Sequence, residues 1–263
     1  LAPNGRHSIV DFPKGIQAGN FFHELFETLD FSGQTSLSYE ALVQDKLCRY
    51  GFEGFWKEPV CQTITRVLSM PLTTDLDRVF LLGLDPSQRL HEMAFSFPAA
   101  GLSLSRLQNI FTLYSRSNLP KSFLDKLDQL DLIHGDTLMK GFIDLIFQRD
   151  GRYHLIDWKS NFLGIHLEDY SQTALTEVMD REWYFLQYHL YVVALHRHLT
   201  FRLPNYDYDR DFGGVFYIFL RGVNPDKDHK AGVYVDRPPR NLILALDKFL
   251  MPDGGSFQQG SNI

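Results

Sequence analysis

Apolar residues recur along the chain with two different spacings, which separate predicted helices from predicted strands. Residues 18–31 show the spacing of one helix face, with Asn20 as a candidate cap and apolar positions at Phe22, Leu25, Phe26 and Leu29. Similar criteria predict helices at residues 38–49, 59–70, 103–115, 119–130 and 238–250. A longer helix is predicted at about 180–200, and because it is apolar almost all round we expect it to be buried.

Short runs rich in aromatic and β-branched residues, bounded by turn residues, predict the strands. They are residues 91–98, a hairpin at 141–160, and residues 213–222. Helical segments inserted at about 38–85 and 100–135 favour an α/β fold with a small mixed sheet flanked by helices. We expect residues 1–263 to form a single domain with core elements at about 18–31, 91–98, 141–160 and 180–222.

The predicted hairpin carries two aspartates inside otherwise apolar strands. Asp150 and Gly151 form the strongest short-range hairpin signal, and a two-residue loop there places Asp144 directly opposite Asp157. Residues opposite each other in such a pair have Cβ atoms about 4.5–5.5 Å apart. Lys159 shares the face of Asp157 because side chains alternate along a strand. A bulge at Gly151 would shift this register.

Alternation also predicts the other side chains on the two faces of the hairpin. The aspartate face would carry Phe142, Ile146, Tyr153 and Leu155, and the opposite face Ile143, Leu145, Phe147, Ile156 and Trp158. Both faces are apolar, so the hairpin should be covered on both sides. In such a buried place the two facing carboxylates repel each other, and their desolvation is costly. A hard divalent cation would compensate. The alternative is a face open to water, with both aspartates and Lys159 merely solvated.

Three further polar residues lie on predicted helices. His23 lies at the edge of an apolar helix face, where it is either a half-buried structural residue or a metal ligand. Gln187 and Tyr191 are four residues apart and share one face of the long helix. Their polar ends need partners if the helix is buried, so a structural and a functional role are both open.

Composition narrows the class of protein. The net charge of −6 argues mildly against a free-standing nucleic-acid binder, so any nucleic acid would be delivered by other domains. No apolar run reaches the roughly 18–20 residues of a membrane span, and no GxxxxGK[ST] loop for ATP is present. The two cysteines are too few for a disulfide framework, which predicts a cytoplasmic protein. Because the chain begins with Leu and ends in GGSFQQGSNI, we expect it to be a piece of a longer protein.

Three motifs occur in the order found in PD-(D/E)xK nucleases of the RecB type, and the chain resembles that family over roughly residues 10–250. GFID at 141–144 is similar to the GxxD motif, DWK at 157–159 to (D/E)xK, and QYHLY at 187–191 to QxxxY. HELFETLDF and YDYDRDFGGVFYIFLRGV, which flank them, add to the resemblance. Each motif is weak alone and the combination is specific. The resemblance implies a restriction-endonuclease-like core with helical insertions.

The resemblance also implies roles for individual residues. The ligands of Mg²⁺ would be His23, Asp144, Asp157 and the backbone carbonyl of Trp158. The catalytic residues would be Lys159, Asp144 and Asp157. Gln187 and Tyr191 would support the site or touch the DNA backbone, and Glu92 would lie just outside the ligands. Mn²⁺ should substitute because histidine is a softer ligand than Mg²⁺ prefers, whereas Ca²⁺ should bind and support little cleavage.

The implied activity is hydrolysis of DNA, chiefly single strands unwound by helicase domains upstream in the same chain. RecC-like and RecD-like subunits would be partners, in the cytoplasm of a bacterium and without a membrane. One alternative is a nuclease-like module that has lost catalysis and serves in DNA binding or assembly, which the intact Asp144, Asp157 and Lys159 disfavour. Another is a stand-alone restriction-type endonuclease, which the acidic balance disfavours.

Overall fold

The computed structural model describes residues 7–32, 36–74, 78–98, 102–115, 119–130, 138–226 and 230–251. The helices in these residues are α1 (Ile16–Thr28), α2 (Ser36–Arg49), α3 (Lys57–Ser69), α4 (Leu104–Tyr114), α5 (Lys121–Lys126), α6 (Gln172–Arg181), α7 (Tyr184–Arg202), α8 (Tyr208–Asp211) and α9 (Arg240–Leu250). The strands are β1 (Leu72–Thr73), β2 (Arg78–Val79), β3 (Arg89–Pro98), β4 (Leu138–Arg149), β5 (Arg152–Lys159), β6 (Phe212–Phe219) and β7 (Val233–Asp236). None of these helices is both long and apolar enough to cross a membrane.

The centre of the fold is a five-stranded mixed sheet, and a small mixed sheet was predicted. Its strand order is β3-β4-β5-β6-β7, with β5 and β6 parallel and the other neighbours antiparallel. One cluster of buried apolar side chains joins one face of the sheet to α4, α6, α7 and α9. A second cluster joins the opposite face to α1, α2 and α3. Both faces of the central strands are therefore covered, which explains why β6 is buried at every position.

Most predicted elements are present, with shifted ends. The predicted helices at 18–31, 38–49, 59–70, 103–115 and 238–250 correspond to α1, α2, α3, α4 and α9. Asn20 is not a cap, because α1 begins at Ile16 with Gly15 at its N-cap. The predicted helix at 119–130 ends at Lys126 and continues as a 3-10 turn, Leu127–Gln129.

The long helix predicted at 180–200 is wrong at its start. Helix α6 ends at Arg181 and α7 begins at Tyr184, and between them Trp183 has a left-handed backbone with φ of 60°. The predicted strand at 213–222 ends at Phe219 and is followed by a 3-10 turn. Helix α6 and strand β7 were not predicted, although the buried residues of α6, Leu175, Val178 and Met179, follow helical spacing.

The predicted hairpin register is confirmed. Arg149 pairs with Arg152, and the ladder runs without a shift to the pair of Leu145 and Ile156, where it ends, one position before the predicted pair of Asp144 and Asp157. Asp150 and Gly151 have φ of 51° and 83°. Positive φ at both loop residues is the type I′ turn that matches the twist of two antiparallel strands.

The predicted alternation of faces fails at Asp144. Ile143 is buried in the same cluster as Ile146, whereas Phe142 is 55% exposed. Opposite Asp144, Glu92 of β3 has a left-handed backbone with φ of 50°, and the β3–β4 ladder skips this pair. The left-handed residue Glu92 rotates its own strand, β3. Because β4 stays paired with β3 on both sides of the skipped pair, the side chains of β4 beyond Asp144 change sides as well. The assignments of Phe142 and Ile143 to their faces are therefore wrong.

Candidate active site and metal centre

Three possible ligands from three elements converge beside the hairpin. His23 of α1, Glu92 of β3 and Asp144 of β4 each offer a ligand atom, and these atoms lie within 4.8 Å of one another. His23 Nδ1 is 3.2 Å from Asp144 Oδ2. An imidazole and two carboxylates form a donor set suited to a divalent cation.

The packing of α1 on the sheet brings His23 to the hairpin. Phe26 stacks on Trp158 with ring centroids 4.3 Å apart and planes 18° apart. His23 lies three residues earlier on the same helix face, which directs it toward Asp144. The backbone N–H of Trp158 donates to Asp144 Oδ2 at 2.8 Å, which fixes the carboxylate. The predicted use of the Trp158 carbonyl as a ligand stays a prediction.

Asp157 and Lys159 form a buried ion pair next to this cluster. They are 2% and 9% exposed, and Lys159 Nζ contacts Asp157 Oδ1. Lys159 Nζ also donates to Gln187 Oε1 at 3.2 Å, and the hydroxyl of Tyr217 donates to the same oxygen at 2.9 Å. The Tyr184 ring lies 3.9 Å from Lys159 Nζ. Gln187 is therefore a second partner that holds the ammonium group of Lys159.

Tyr191, the last residue of the third motif, lies deeper than Gln187. It is 6% exposed, and its ring meets Phe95 edge-on at 5.5 Å. Burial and the nearby charges of Asp157 and Asp144 raise its pKa above the usual range. Phe95 also explains the glycine of the first motif, because a Cβ at Gly141 would lie 2.6 Å from its ring. These contacts lock β3, β4 and α7 together behind the site.

Electrostatics around the cluster favour a bound cation. Burial raises the pKa of Glu92 to about 7, with the charges of Asp144 and Glu27 adding to the effect. Burial also raises the pKa of Asp157, against the stabilising charge of Lys159. For His23, burial lowers the pKa, but the hydrogen bond and charge of Asp144 outweigh it. A divalent cation would remove the repulsion between these carboxylates without protonating them.

The solvated-face alternative is excluded by burial. Asp144 is 7% exposed, and Asp157 and Lys159 are buried as well. Among their predicted neighbours, Ile146 and Leu155 are also buried, Tyr153 is half-buried and Phe142 is exposed. The two aspartates therefore lie where their charges require compensation.

Comparison with known proteins identifies the fold family. A profile of the PD-(D/E)XK nuclease superfamily matches residues 7–247. The chain belongs to this superfamily. The RecBCD enzyme subunit RecB of Escherichia coli K12 is 40% identical over 242 residues, which cover 90% of this chain and 19% of that protein. The Haemophilus influenzae subunit of the same name is 36% identical over 247 residues, 94% of this chain and 19% of that protein.

A relative with lower sequence identity is also a RecB subunit. The RecBCD enzyme subunit RecB of Mycobacterium tuberculosis is 31% identical over 274 aligned residues, 95% of this chain and 25% of that protein. The chain thus spans about a fifth to a quarter of the length of these relatives. The predicted resemblance to RecB-type nucleases and the α/β nuclease fold are confirmed, and the chain is a RecB-like PD-(D/E)XK nuclease domain.

One residue beside the superfamily motifs was missed by the sequence analysis. Arg221 is 3% exposed and follows the strand β6. Its Nε donates to the carbonyl of Ser160, directly after Lys159, at 2.8 Å. Its two other nitrogens donate to the carbonyls of Ile9, Val10, Phe12 and Pro13, just before α1. The signal was an arginine ending the apolar run VFYIFLRG, where a buried guanidinium needs several acceptors.

Glu92 is closer to the ligands than the sequence analysis expected, and this leads to a prediction. Its left-handed backbone costs on the order of 1–3 kcal/mol, and such strain is concentrated at functional sites. Glu92→Gln is expected to weaken Mg²⁺ binding about tenfold or more, because one negative charge leaves the donor set. Calorimetric titration with Mg²⁺ measures this. Glu177→Gln, on the exposed side of α6, is the matched control, and equal affinities would exclude Glu92 as a ligand.

Proposed function

We propose that this chain is a Mg²⁺-dependent deoxyribonuclease domain that hydrolyses phosphodiester bonds, chiefly in single-stranded DNA. The observation that carries the proposal is the convergence of His23, Glu92 and Asp144 within 4.8 Å, beside the buried pair of Asp157 and Lys159. Membership of a nuclease superfamily supports the reaction class. The buried carboxylates, with raised pKa values for Glu92 and Asp157, support the metal.

The ion would be held by His23, Asp144, Asp157 and the carbonyl of Trp158, with Glu92 as a further ligand. Bound Mg²⁺ lowers the pKa of a coordinated water and offsets the charge that builds on the phosphate. Asp144 is already oriented for this, because its Oδ2 accepts the N–H of Trp158. Burial lowers the pKa of His23, but the hydrogen bond and charge of Asp144 raise it overall, so protonation of this histidine competes with its use as a ligand.

Lys159 supplies the positive charge of the proposed reaction. Asp157 and Gln187 both hold its ammonium group, so the charge needs little reorganisation when a substrate arrives. Burial opposes this charge, but the charge of Asp157 keeps the pKa of Lys159 raised, so the side chain stays protonated. A fixed ammonium next to the reacting phosphate stabilises negative charge in the transition state. Tyr217 fixes Gln187 and thereby the position of the lysine.

The relatives support a proposal about the surroundings of the domain. Their names describe a subunit of the RecBCD enzyme, and this chain covers 19% of the E. coli subunit. We therefore place residues 1–263 as one nuclease domain that acts on strands unwound by helicase domains upstream in the same chain. RecC-like and RecD-like subunits are the proposed partners, in the bacterial cytoplasm. The net charge of −6 agrees with a domain to which DNA is delivered.

Cleavage of an end-labelled oligonucleotide tests the proposal. We expect cleavage in Mg²⁺ and in Mn²⁺, loss of cleavage in EDTA, and little cleavage in Ca²⁺, which is larger and less demanding in geometry. Single strands should be cut faster than the same sequence as a duplex. Cleavage in Ca²⁺ equal to that in Mg²⁺, or undiminished cleavage in EDTA, contradicts the proposed site.

Thermal unfolding distinguishes an inactive protein from a wrong site. Metal that binds only the folded state raises the melting temperature. If Mg²⁺ raises it in the wild type and not in Asp144→Asn, the metal site holds even where cleavage needs the rest of the enzyme. If Mg²⁺ changes neither cleavage nor melting, the catalytically inactive DNA-binding or assembly module becomes the better description.

A further inference from the structure

One large aromatic side chain beside the metal cluster faces solvent. Phe142 is 55% exposed, although it lies in the sheet and only two residues before Asp144. Ile143 is buried in the core, so Phe142 points to the other side of β4. Its cross-strand partner is Ala94 of β3, and Lys140 pairs with Ser96 one step further along the same side. Phe142 is therefore the one large apolar group in this row of four residues.

The small partners leave the ring of Phe142 uncovered. Ala94 and Ser96 are half-buried and too short to cover a phenyl ring, whereas Lys140 is exposed. Residues two apart on a strand are separated by about 7 Å, so a nucleotide bound through its phosphate at Asp144 has Phe142 within reach.

We propose that Phe142 is a stacking platform for one nucleobase of single-stranded DNA, next to the phosphate that is cleaved. Lys140, on the same side of the sheet, faces the next part of the backbone and supplies charge complementary to a phosphate. This inference rests on the proposed nuclease function and adds to it a reason for strand preference. A base that stacks on Phe142 must have left its duplex stack, so paired DNA does not use the platform.

The alternative occupant is protein. The chain spans about a fifth of the length of its relatives, so an exposed aromatic group can also contact another domain. Continuity with the metal cluster favours DNA, because Phe142 pairs with Ala94 only two positions along the strands from Asp144 and Glu92. A protein contact at that place would cover the approach to the ligands. We therefore commit to the nucleobase and make the protein contact an outcome of the test.

Binding of fluorescent oligonucleotides in Ca²⁺ measures the platform without cleavage. Stacking on an aromatic side chain contributes enough that Phe142→Ala should weaken single-strand binding about tenfold or more, while Phe142→Trp should keep it. Phe201→Ala is the matched control, because this phenylalanine is 84% exposed and at the end of another element. The Mg²⁺-dependent rise in melting temperature should be equal in all four proteins, which shows that the metal site is intact.

An abasic scan identifies the stacked base. In the wild type, removing the base at one position of the oligonucleotide should weaken binding as much as Phe142→Ala does, and in Phe142→Ala the same removal should have no further effect. Equal affinity of wild type and Phe142→Ala, or an equal loss on single strand and duplex, overturns the inference. Unchanged DNA binding with loss of association to the helicase part of the chain assigns Phe142 to a protein contact. A wild type that neither binds nor cleaves any strand, and whose melting temperature Mg²⁺ does not raise, overturns the proposed function itself.

Discussion

Asp157→Asn is expected to lower DNA cleavage in Mg²⁺ by about a thousandfold. The substitution keeps the shape of the side chain and an oxygen that accepts from Lys159, and it removes one negative charge from the proposed ligands. The charge of Asp157 is also the main reason that Lys159 stays protonated when buried. One substitution therefore weakens both the metal and the lysine, which is why its effect on rate should exceed that of any substitution that touches one of them alone.

The control for this prediction is Asp125→Asn, at an exposed position on α5. Single-turnover rates on a labelled single strand, at saturating Mg²⁺, give the comparison. Breaking a buried ion pair typically costs about 3–5 kcal/mol, and the bond from Lys159 to Gln187 should reduce that loss. Circular dichroism at the assay temperature shows whether Asp157→Asn is folded. A folded variant that retains a tenth of the wild-type rate would exclude Asp157 from the centre of the reaction.

The hairpin could be predicted because the information that determines it is local. Asp150 and Gly151 specify a type I′ turn through their own backbone preferences, and the turn fixes the register up to Leu145 and Ile156, one position before Asp144 and Asp157. The break at Trp183 could not be predicted, since nothing in the sequence there is a usual left-handed residue. Packing of α6 and α7 determines it, against the preference of tryptophan for ordinary backbone angles.

The reversal of faces at Asp144 also could not be predicted, because its cause lies outside the local sequence. Alternation assumes a regular strand, and the left-handed backbone of Glu92 on the neighbouring strand breaks that assumption. The sequence of β4 alone contains no sign of it. For this reason the exposure of Phe142, on which the proposed stacking platform depends, became visible only with the structure.

Some residues of the site could be predicted from local spacing, and others could not. The spacing of Asp144, Asp157 and Lys159 on one hairpin is enough to predict that they share a region. His23 and Gln187 reach that region only through helix packing, so their place followed from the family resemblance and not from any local pattern. The structure brings both into contact with hairpin residues, His23 with Asp144 and Gln187 with Lys159.

Arg221→Met is expected to lower the free energy of unfolding by about 3–5 kcal/mol, which makes it the largest expected effect on stability. Methionine fills much of the same volume, so the loss comes from hydrogen bonds rather than from a cavity. Arg221 donates to five carbonyl groups, those of Ile9, Val10, Phe12, Pro13 and Ser160. Each buried carbonyl that loses its donor costs about 1–3 kcal/mol, and the costs are not additive because some of these groups regain water.

Urea unfolding of Arg221→Met and of Arg181→Met tests this, because the Arg181 side chain is 65% exposed and bonds only its neighbour Glu182 among the contacts described for it. Stability within about 1 kcal/mol of the wild type would mean that the buried guanidinium is replaceable.

Arg221 also joins the segment before α1 to the residue after Lys159, so its loss should loosen His23 relative to the hairpin. A variant that is still folded should then bind Mg²⁺ more weakly, whereas Arg181→Met should bind it as the wild type does. Lower stability with unchanged Mg²⁺ affinity would show that the packing of Phe26 on Trp158 is sufficient to place His23.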